Sequence, residues 1–332
     1  MDVKGITHIC DSPSTQAQNE ARASRGAAAY LIVVEGGIPG TMLHLSEEGT
    51  SLGRSTENAF QFYDVTESRH HAFMWMDALG DVYLSDLEST NGTFLNGGRV
   101  GPGRAQRLKD GDRVQLGSGV VLKLVRLDPC DERFQREMFE RTVRDSLTGL
   151  YNRSYFFNQI AALRWTHGAQ GIGLAMLMLD VDHFKRINDR YGHLAGDAVL
   201  RDVAAVIRES TRSEDLVARY GGEEFVVALP VSTPDLATER AERIRANQAA
   251  RRILAGGQEI RVSVSIGLAF GPPGRMRDEL TLIELADQAL YQAKAAGRNR
   301  VAFGWPGASP DSQVTQSAEL CTSSGPWAVA NG

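Results

Sequence analysis

The sequence predicts two domains of different class, an all-β sandwich followed by an α/β sandwich built on a mixed sheet. Three observations carry this. From Ala28 to Leu127, short β-branched and aromatic runs are separated by glycine-containing turns, the pattern of small strands stacked in two layers. From Leu147 to Phe303, helical and strand patterns alternate, which places helices over a sheet. A chain of 332 residues is long enough for both.

Taken in order, residues 1–26 are rich in Ser, Ala, Gln and Asn without periodicity and read as a disordered arm. The first domain, 27–127, has strands expected at Tyr30–Glu35, Met42–Leu45, Ala72–Met76, Val82–Leu84 and Val120–Val125. Asp128-Pro129 punctuates the chain. A charged helix is then expected over Asp131–Asp145, within a linker at 128–145, with Phe134, Met138 and Phe139 on one side. Those positions suit either a dimer stalk or a cap on the next domain. The second domain, 146–304, has a continuous apolar run at Leu174–Asp180 that reads as a strand buried on both faces. Ala195–Arg208 has apolar residues at helical spacing. Leu216–Leu229 reads as a hairpin turning at Gly221-Gly222, Ala237–Ile253 and Leu282–Ala296 as helices, and Ile260–Phe270 as a strand. Residues 305–332 return to Ser, Gly, Pro and Gln and read as a disordered tail.

Composition excludes several classes. The chain is 42% hydrophobic and 23% charged, ordinary for a soluble globular protein. Its net charge of -5, with no basic tract, gives no reason to expect nucleic acid as a partner. Cys10, Cys130 and Cys321 lie far apart and suit a reducing compartment better than a disulfide or metal framework. The N-terminus lacks a basic start and apolar core, and the longest apolar runs are too short for a bilayer. The expectation is a cytoplasmic protein without membrane insertion.

The acids of the second domain carry its chemistry. Asp180 ends the buried strand, Asp182 follows two residues on, and Glu223 and Glu224 flank the glycine turn. If strand and hairpin are neighbours, several carboxylates meet at one sheet edge, which is costly unless a hard cation joins them. Mg2+ favours such oxygen ligands together with substrate phosphates. Gly221 and Gly222 leave the turn bare, so a phosphate or base can approach the backbone. A hairpin turn with solvated acids is the plainer alternative.

The segment Arg219-Tyr220-Gly221-Gly222-Glu223-Glu224-Phe225 resembles the signature of the GGDEF diguanylate cyclase family in its Glu-containing form. Further motifs follow the family's order. They are Asp145-Ser146-Leu147-Thr148-Gly149-Leu150-Tyr151-Asn152-Arg153, Asp180 to Asp189, Gly192-His193-Leu194-Ala195-Gly196-Asp197 and Tyr291 to Arg300. The resemblance spans Asp145 to Val301 and implies a nucleotidyl-cyclase-like α/β fold. It implies an Mg2+-dependent enzyme (Mn2+ being the alternative metal) that condenses two GTP into cyclic di-GMP and two pyrophosphates, acting as a homodimer.

Position by position, the resemblance implies that Asp180 and Glu223 bind metal with the Val181 carbonyl. Glu224 assists a second metal or activates the attacking 3′-hydroxyl. Asn188 and Asp197 hydrogen-bond guanine, Phe184 and Leu200 pack near the base, and Lys185, Lys294 and Arg298 hold the triphosphate. In-line attack on phosphorus needs positioning and charge neutralisation above all. Asp197 favours GTP over ATP, since a carboxylate accepts from guanine N1–H and N2–H together. Other readings are helix-end cations for Lys294 and Arg298, core packing for Phe184 and Leu200, and structural roles for His193 and Asp182. Arg212 and Asp215 precede the turn at the offset of the family's product-inhibition site, where such a pair grips cyclic di-GMP, with Arg243 as a further contributor. The rivals are an adaptor that only senses GTP or cyclic di-GMP, which intact acids argue against, and a cyclase with an adenine-containing product, which Asp197 argues against.

In the first domain, Gly53-Arg54-Ser55, Ser68-Arg69-His70-His71-Ala72 and Ser89 to Gly97 together resemble a forkhead-associated (FHA) domain over roughly Gly49–Val125. The resemblance implies that Arg54, Ser68, Arg69, Thr90 and Asn91 line the loops that bind a phosphothreonine-containing protein. Arg54 and Ser68 would take the phosphate, Thr90 and Asn91 the peptide beside it, while Gly53 and His71 hold the loops in shape.

Overall fold

The computed structural model describes residues 27–304 except 56, 63–67, 169, 274–277 and the side chain at 165. The expected arm at 1–26 and tail at 305–332 lie outside the described residues. Two compact units divide between Val143 and Arg144.

The first unit contains β1 (Ala28–Glu35), β2 (Met42–His44), β3 (Thr50–Gly53), β4 (Phe60–Gln61), β5 (Ala72–Met76), β6 (Val82–Asp86), β7 (Thr93–Leu95), β8 (Gly98–Arg99), β9 (Gln106–Leu108), β10 (Arg113–Leu116) and β11 (Val120–Leu127). They form one sheet ordered β2-β1-β11-β10-β7-β8 and another ordered β4-β3-β5-β6-β9. Alternation builds the core. Val120, Leu122 and Leu124 of β11 and Ala72 and Met74 of β5 are fully buried, and join one cluster with Leu31, Leu52 and Leu84.

Helix α1 (Pro129–Val143) closes this unit. It starts two residues earlier than expected because the Asp128 carboxylate accepts from the amides of Cys130 (2.7 Å) and Asp131 (2.9 Å), with Pro129 at the first helical position. Its apolar residues do not share one side. Phe139 sits against Gly40 and Glu132 accepts from the Tyr30 hydroxyl, whereas Phe134 and Met138 are exposed.

The second unit contains β12 (Tyr151–Asn152), α2 (Arg153–Gly168), β13 (Gly173–Val181), α3 (Phe184–Tyr191), α4 (His193–Ser210), β14 (Leu216–Arg219), β15 (Glu224–Val231), α5 (Pro234–Ala250), β16 (Ile253–Ala255), β17 (Gln258–Ile260), β18 (Val264–Gly271), α6 (Glu279–Ala295) and β19 (Val301–Gly304). One mixed sheet runs β12-β14-β15-β13-β18-β19, parallel only at its two edges. All nine residues of β13 are buried. Ala175, Leu177, Leu179 and Val181 face a core shared with α3, α4 and α5, and Leu174, Met176 and Met178 face another shared with α2 and α6. That two-faced burial is what the apolar run signalled.

Two expected boundaries are corrected here. Ile253 does not end a helix and Ile260 does not begin a long strand, for the two pair across a small hairpin turning at Gly256-Gly257. Both glycines take positive φ (56° and 77°), the conformation a two-residue hairpin loop requires. Among the described residues no helix is long and apolar enough to cross a membrane.

Candidate active site and the loop cluster of the β sandwich

The acids converge at one end of the central strands. In the β13–β15 pairing Asp180 stands opposite Glu224, and the Val181 amide donates to the Glu223 carbonyl at 3.3 Å. Asp180 is buried, and the Lys294 ammonium, from the last turn of α6, lies 2.8 Å from its carboxylate. Burial raises the Asp180 pKa; Lys294 and Arg298 oppose the shift while the charge of Asp182 adds to it. Glu223 is raised first by burial, then by the charges of Asp180 and Glu224, with Lys294 opposing. The fold thus holds like charges close together in a partly dry place, with one ammonium between them.

Asp182 has a different role. Its carboxylate accepts from Ser263 Oγ (2.6 Å), Ser265 Oγ (2.6 Å) and the Asn299 amide (3.1 Å). This ties β18 and the Arg298-Asn299 turn to the site, as befits a structural acid. Arg298 and Asn299 both take positive φ (64° and 43°), a costly conformation that the bond to Asp182 helps hold.

Helices α3 and α4 build the neighbouring pocket. Asn188 Oδ1 is buried with no hydrogen-bond partner, an acceptor left open for a donor. It fits because residue 196 is glycine, where a Cβ would stand 1.9 Å from that oxygen and 3.2 Å from Phe184 Cζ. Asp197 follows on the same helix, half-buried. Leu200 is 2% and Phe184 8% exposed, both within the core. Lys185 is exposed in the first turn of α3, and no ion pair joins it to the acids among the described residues.

Sequence reasoning gave Arg219 no role, although it stands in the signature segment. Its guanidinium donates to the carbonyls of Gly221 (3.1 Å) and Gly222 (2.6 Å) and pairs with Asp145 (3.1 Å). Asp145 in turn accepts from the Thr148 amide and hydroxyl. The opening motif is thereby latched to the glycine turn. At the predicted inhibitory pair, Asp215 accepts from the Arg212 amide (2.6 Å) and its carboxylate is paired with buried Arg240. The Arg212 guanidinium is exposed and lies 3.5 Å from Glu214, while Arg243 donates to the Ser210 carbonyl. No sequence signal marked Arg240, since its partner lies 25 residues away.

In the β sandwich, three loops distant in sequence meet. The Arg54 amide donates to the Ser68 carbonyl (2.9 Å), and the Thr90 amide donates to Ser68 Oγ (2.9 Å). Asn58, another residue without a sequence signal, donates to the carbonyls of Ser55 and Arg69. A Cβ at residue 53 would come within 2.5 Å of the Arg69 carbonyl, so the close approach needs Gly53. Buried His71 faces the Gly92 carbonyl (3.2 Å), and Asp86 accepts from Ser89 and Thr93, shaping the loop that presents Thr90 and Asn91. Arg69, Thr90 and Asn91 are exposed and Arg54 half-exposed.

Fold and site together define a nucleotidyl-cyclase-like α/β domain preceded by a β sandwich of the loop-recognition type. Residues 142–300 match the family described as "Diguanylate cyclase, GGDEF domain", and residues 50–117 match the FHA domain. Residues 142–300 thus match a GGDEF domain, and residues 50–117, ahead of it, an FHA domain. It is 41% identical over 168 residues to diguanylate cyclase A of Treponema denticola, covering 50% of this chain and 45% of that one. It is 42% identical over 163 residues to diguanylate cyclase DgcP of Pseudomonas aeruginosa, covering 49% and 24%. The chain thus spans less than half the length of these curated relatives. The coiled coil and GGDEF domain of DgcB from Caulobacter crescentus, solved with c-di-GMP, aligns at 31% identity and a TM-score of 0.48, over 52% of this chain and 91% of that one.

Proposed function

We propose that the chain is a diguanylate cyclase, and the observation that carries this is the Asp180–Glu223–Glu224 cluster beside Lys294, within a matched GGDEF domain. Among the described residues no three His, Cys, Asp or Glu side chains form a complete metal cage. Raised, crowded carboxylates with a backbone carbonyl nearby nonetheless fit Mg2+, which takes one or two protein carboxylates and completes its shell with phosphates and water. Asp180, Glu223 and the Val181 carbonyl would hold it, with Glu224 beside them. When bound, the ion neutralises phosphate charge and makes an oxygen nucleophile more acidic.

The chain's own residues do the rest. Asn188 Oδ1 accepts from the guanine amino group and Asp197 from the N1–H edge, over a floor that includes Phe184 and Leu200. Lys185, Lys294 and Arg298 hold the triphosphate, and bare backbone at Gly221 and Gly222 lets it approach. Glu224 takes the proton of the attacking 3′-hydroxyl. That oxygen bonds to the α-phosphorus of the second GTP as the bond to pyrophosphate breaks, and the step repeats reciprocally to close the ring. Each domain supplies one GTP, so two copies must meet.

Arg212 presents the guanidinium that binds accumulated cyclic di-GMP, on a loop fixed by Asp215 and Arg240. Arg54 and Ser68 take the phosphate of a phosphothreonine protein, with Arg69, Thr90 and Asn91 around it, and this binding regulates turnover. The basic test is to incubate the purified protein with GTP and Mg2+ and identify the product by mass spectrometry. Cyclic di-GMP is expected from the wild type. Glu223→Gln should lower turnover by about a hundredfold or more, because metal stabilisation supplies several kcal/mol and each ~1.4 kcal/mol is a factor of ten. GTP left unchanged by the wild type removes the assignment.

A further inference from the structure

Between α6 and β19, three consecutive residues take positive φ: Gly297 at 112°, Arg298 at 64° and Asn299 at 43°. Glycine does so freely and asparagine readily, but arginine does not. Strained backbone persists only where its surroundings over-determine it, and it gathers at ligand clamps. The Arg298 amide donates to the Ala293 carbonyl (3.0 Å) at one end of the turn, and the Arg300 carbonyl accepts from the Ile266 amide (2.9 Å) at the other. Between them the Asn299 amide donates to Asp182 (3.1 Å). The Asn299 side-chain oxygen accepts from Arg245 of α5 (2.9 Å), which is itself paired with Glu242.

Asp182 is 5% exposed, and a carboxylate so buried ordinarily takes a cation. Here it takes neutral donors instead, Ser265 on one oxygen and Ser263 with the Asn299 amide on the other. Its own amide donates to the Ser263 carbonyl (2.9 Å), which fixes the serines relative to the acid. Among the described residues no cation pairs with Asp182 and no acid with Arg298; the ion pair at this site joins Lys294 to Asp180. The serines thus satisfy Asp182 without drawing in Arg298, whose charge acts on Asp180.

Taking Arg298 as a ligand of the triphosphate, the reading on which this rests, we propose that Ser263, Ser265 and Arg245 are positioning residues for GTP. The serines act through Asp182, and Arg245 through Asn299, to hold the strained turn that presents the Arg298 guanidinium to the phosphates. The set governs the phosphate tail and leaves the guanine pocket of α3 and α4 alone, so it favours a triphosphate over a monophosphate.

The test is calorimetry on the full chain with Mg2+, against α,β-methylene-GTP, which cannot release pyrophosphate, and against GMP. Ser263→Ala should weaken the GTP analogue about tenfold, the scale of a hydrogen bond to a charged group, and leave GMP unchanged. Ser263→Thr keeps the hydroxyl at a half-buried position and should bind both ligands as the wild type does. Arg245→Ala tests the same turn from the half-buried surface of α5, without entering the core, and should weaken the analogue alone. In an Arg298→Ala background neither alanine substitution should cause further loss, since the group it positions is gone. Unchanged affinity for the analogue in both alanine variants, equal loss for GMP, or losses that simply add to that of Arg298→Ala overturn the proposal. A wild type that binds the analogue no better than GMP also overturns it, even where cyclic di-GMP forms. A wild type that prefers the analogue to GMP, loses that preference in these variants and yet forms no cyclic di-GMP removes the cyclase reading and leaves the positioning set standing.

Discussion

Asn188 and Gly196 form a single device, an acceptor oxygen kept open because the facing residue has no side chain. A Cβ at 196 would stand 1.9 Å from that oxygen, so Gly196→Ala must push Asn188 aside or shift α4. Overpacking of this kind costs about 1–3 kcal/mol. The KM for GTP is therefore expected to rise by about tenfold, with circular dichroism unchanged. An unchanged KM means Asn188 does not touch the base. At the proposed product site, the exposed guanidinium of Arg212 lies 3.5 Å from Glu214, while Asp215 is engaged by Arg240. Arg212→Ala should let product accumulate to a higher level before the reaction slows, with the initial rate preserved. Arg240→Ala should also destabilise the fold, since it leaves a buried carboxylate unpaired. If the wild type does not slow as cyclic di-GMP builds up, the site is not inhibitory.

At the scale of elements, the latch from Asp145 through Arg219 to the glycine turn has a pH signature. Burial acts to raise the Asp145 pKa, but the Thr148 hydroxyl and amide and the Arg219 charge outweigh it, and the net shift is downward. A carboxylate lowered on folding contributes stability above its unfolded pKa, and that contribution is lost as pH falls through the folded value. Asp145→Asn keeps a capping side chain but loses the ion pair. It should unfold about 1 kcal/mol more easily at neutral pH, and the difference from wild type should shrink below the ordinary carboxylate range near ~3.9. Urea denaturation at several pH values measures both. A difference independent of pH excludes the ion pair as its source. The same latch illustrates what the sequence could and could not tell. β13 was legible because nine consecutive residues meet core on both faces, and α4 because its apolar spacing is long. β4, β7, β8 and β9 have two or three residues each and exist through distant partners, as where Leu95 meets Val114. The meeting of the acids at one end of the central strands was legible on the condition that strand and hairpin are neighbours, which the β13–β15 pairing meets. The roles of Arg219, Arg240 and Asn58 were not, because each depends on a carbonyl or carboxylate that only the tertiary fold brings near.

For the whole molecule, the proposed function sets the question of how binding at the FHA domain would govern a cyclase that works as two copies. On that proposal two GTP-loaded domains face each other, so turnover would depend on how often two chains meet as well as on the chemistry. α1 ends at Val143, and the opening motif of the GGDEF domain begins at Asp145. A partner bearing two phosphothreonines, or itself dimeric, would hold two such chains at an effective concentration up to the millimolar range without any new catalytic contact. The phosphate brings roughly -1.5 to -2 charge at neutral pH to a loop cluster holding Arg54 and Arg69. Calorimetry with a phosphothreonine peptide library is expected to show binding that Arg54→Ala loses, by about 1.5–3 kcal/mol for a charge-assisted contact. A monovalent peptide should change turnover little at high protein concentration, where chains already meet. A bivalent phosphoprotein should raise turnover most at low protein concentration, and the gain should disappear in Arg54→Ala. If the saturated bivalent ligand leaves turnover unchanged at every protein concentration, the reader only places the enzyme in the cell, and its control over catalysis is lost as an explanation.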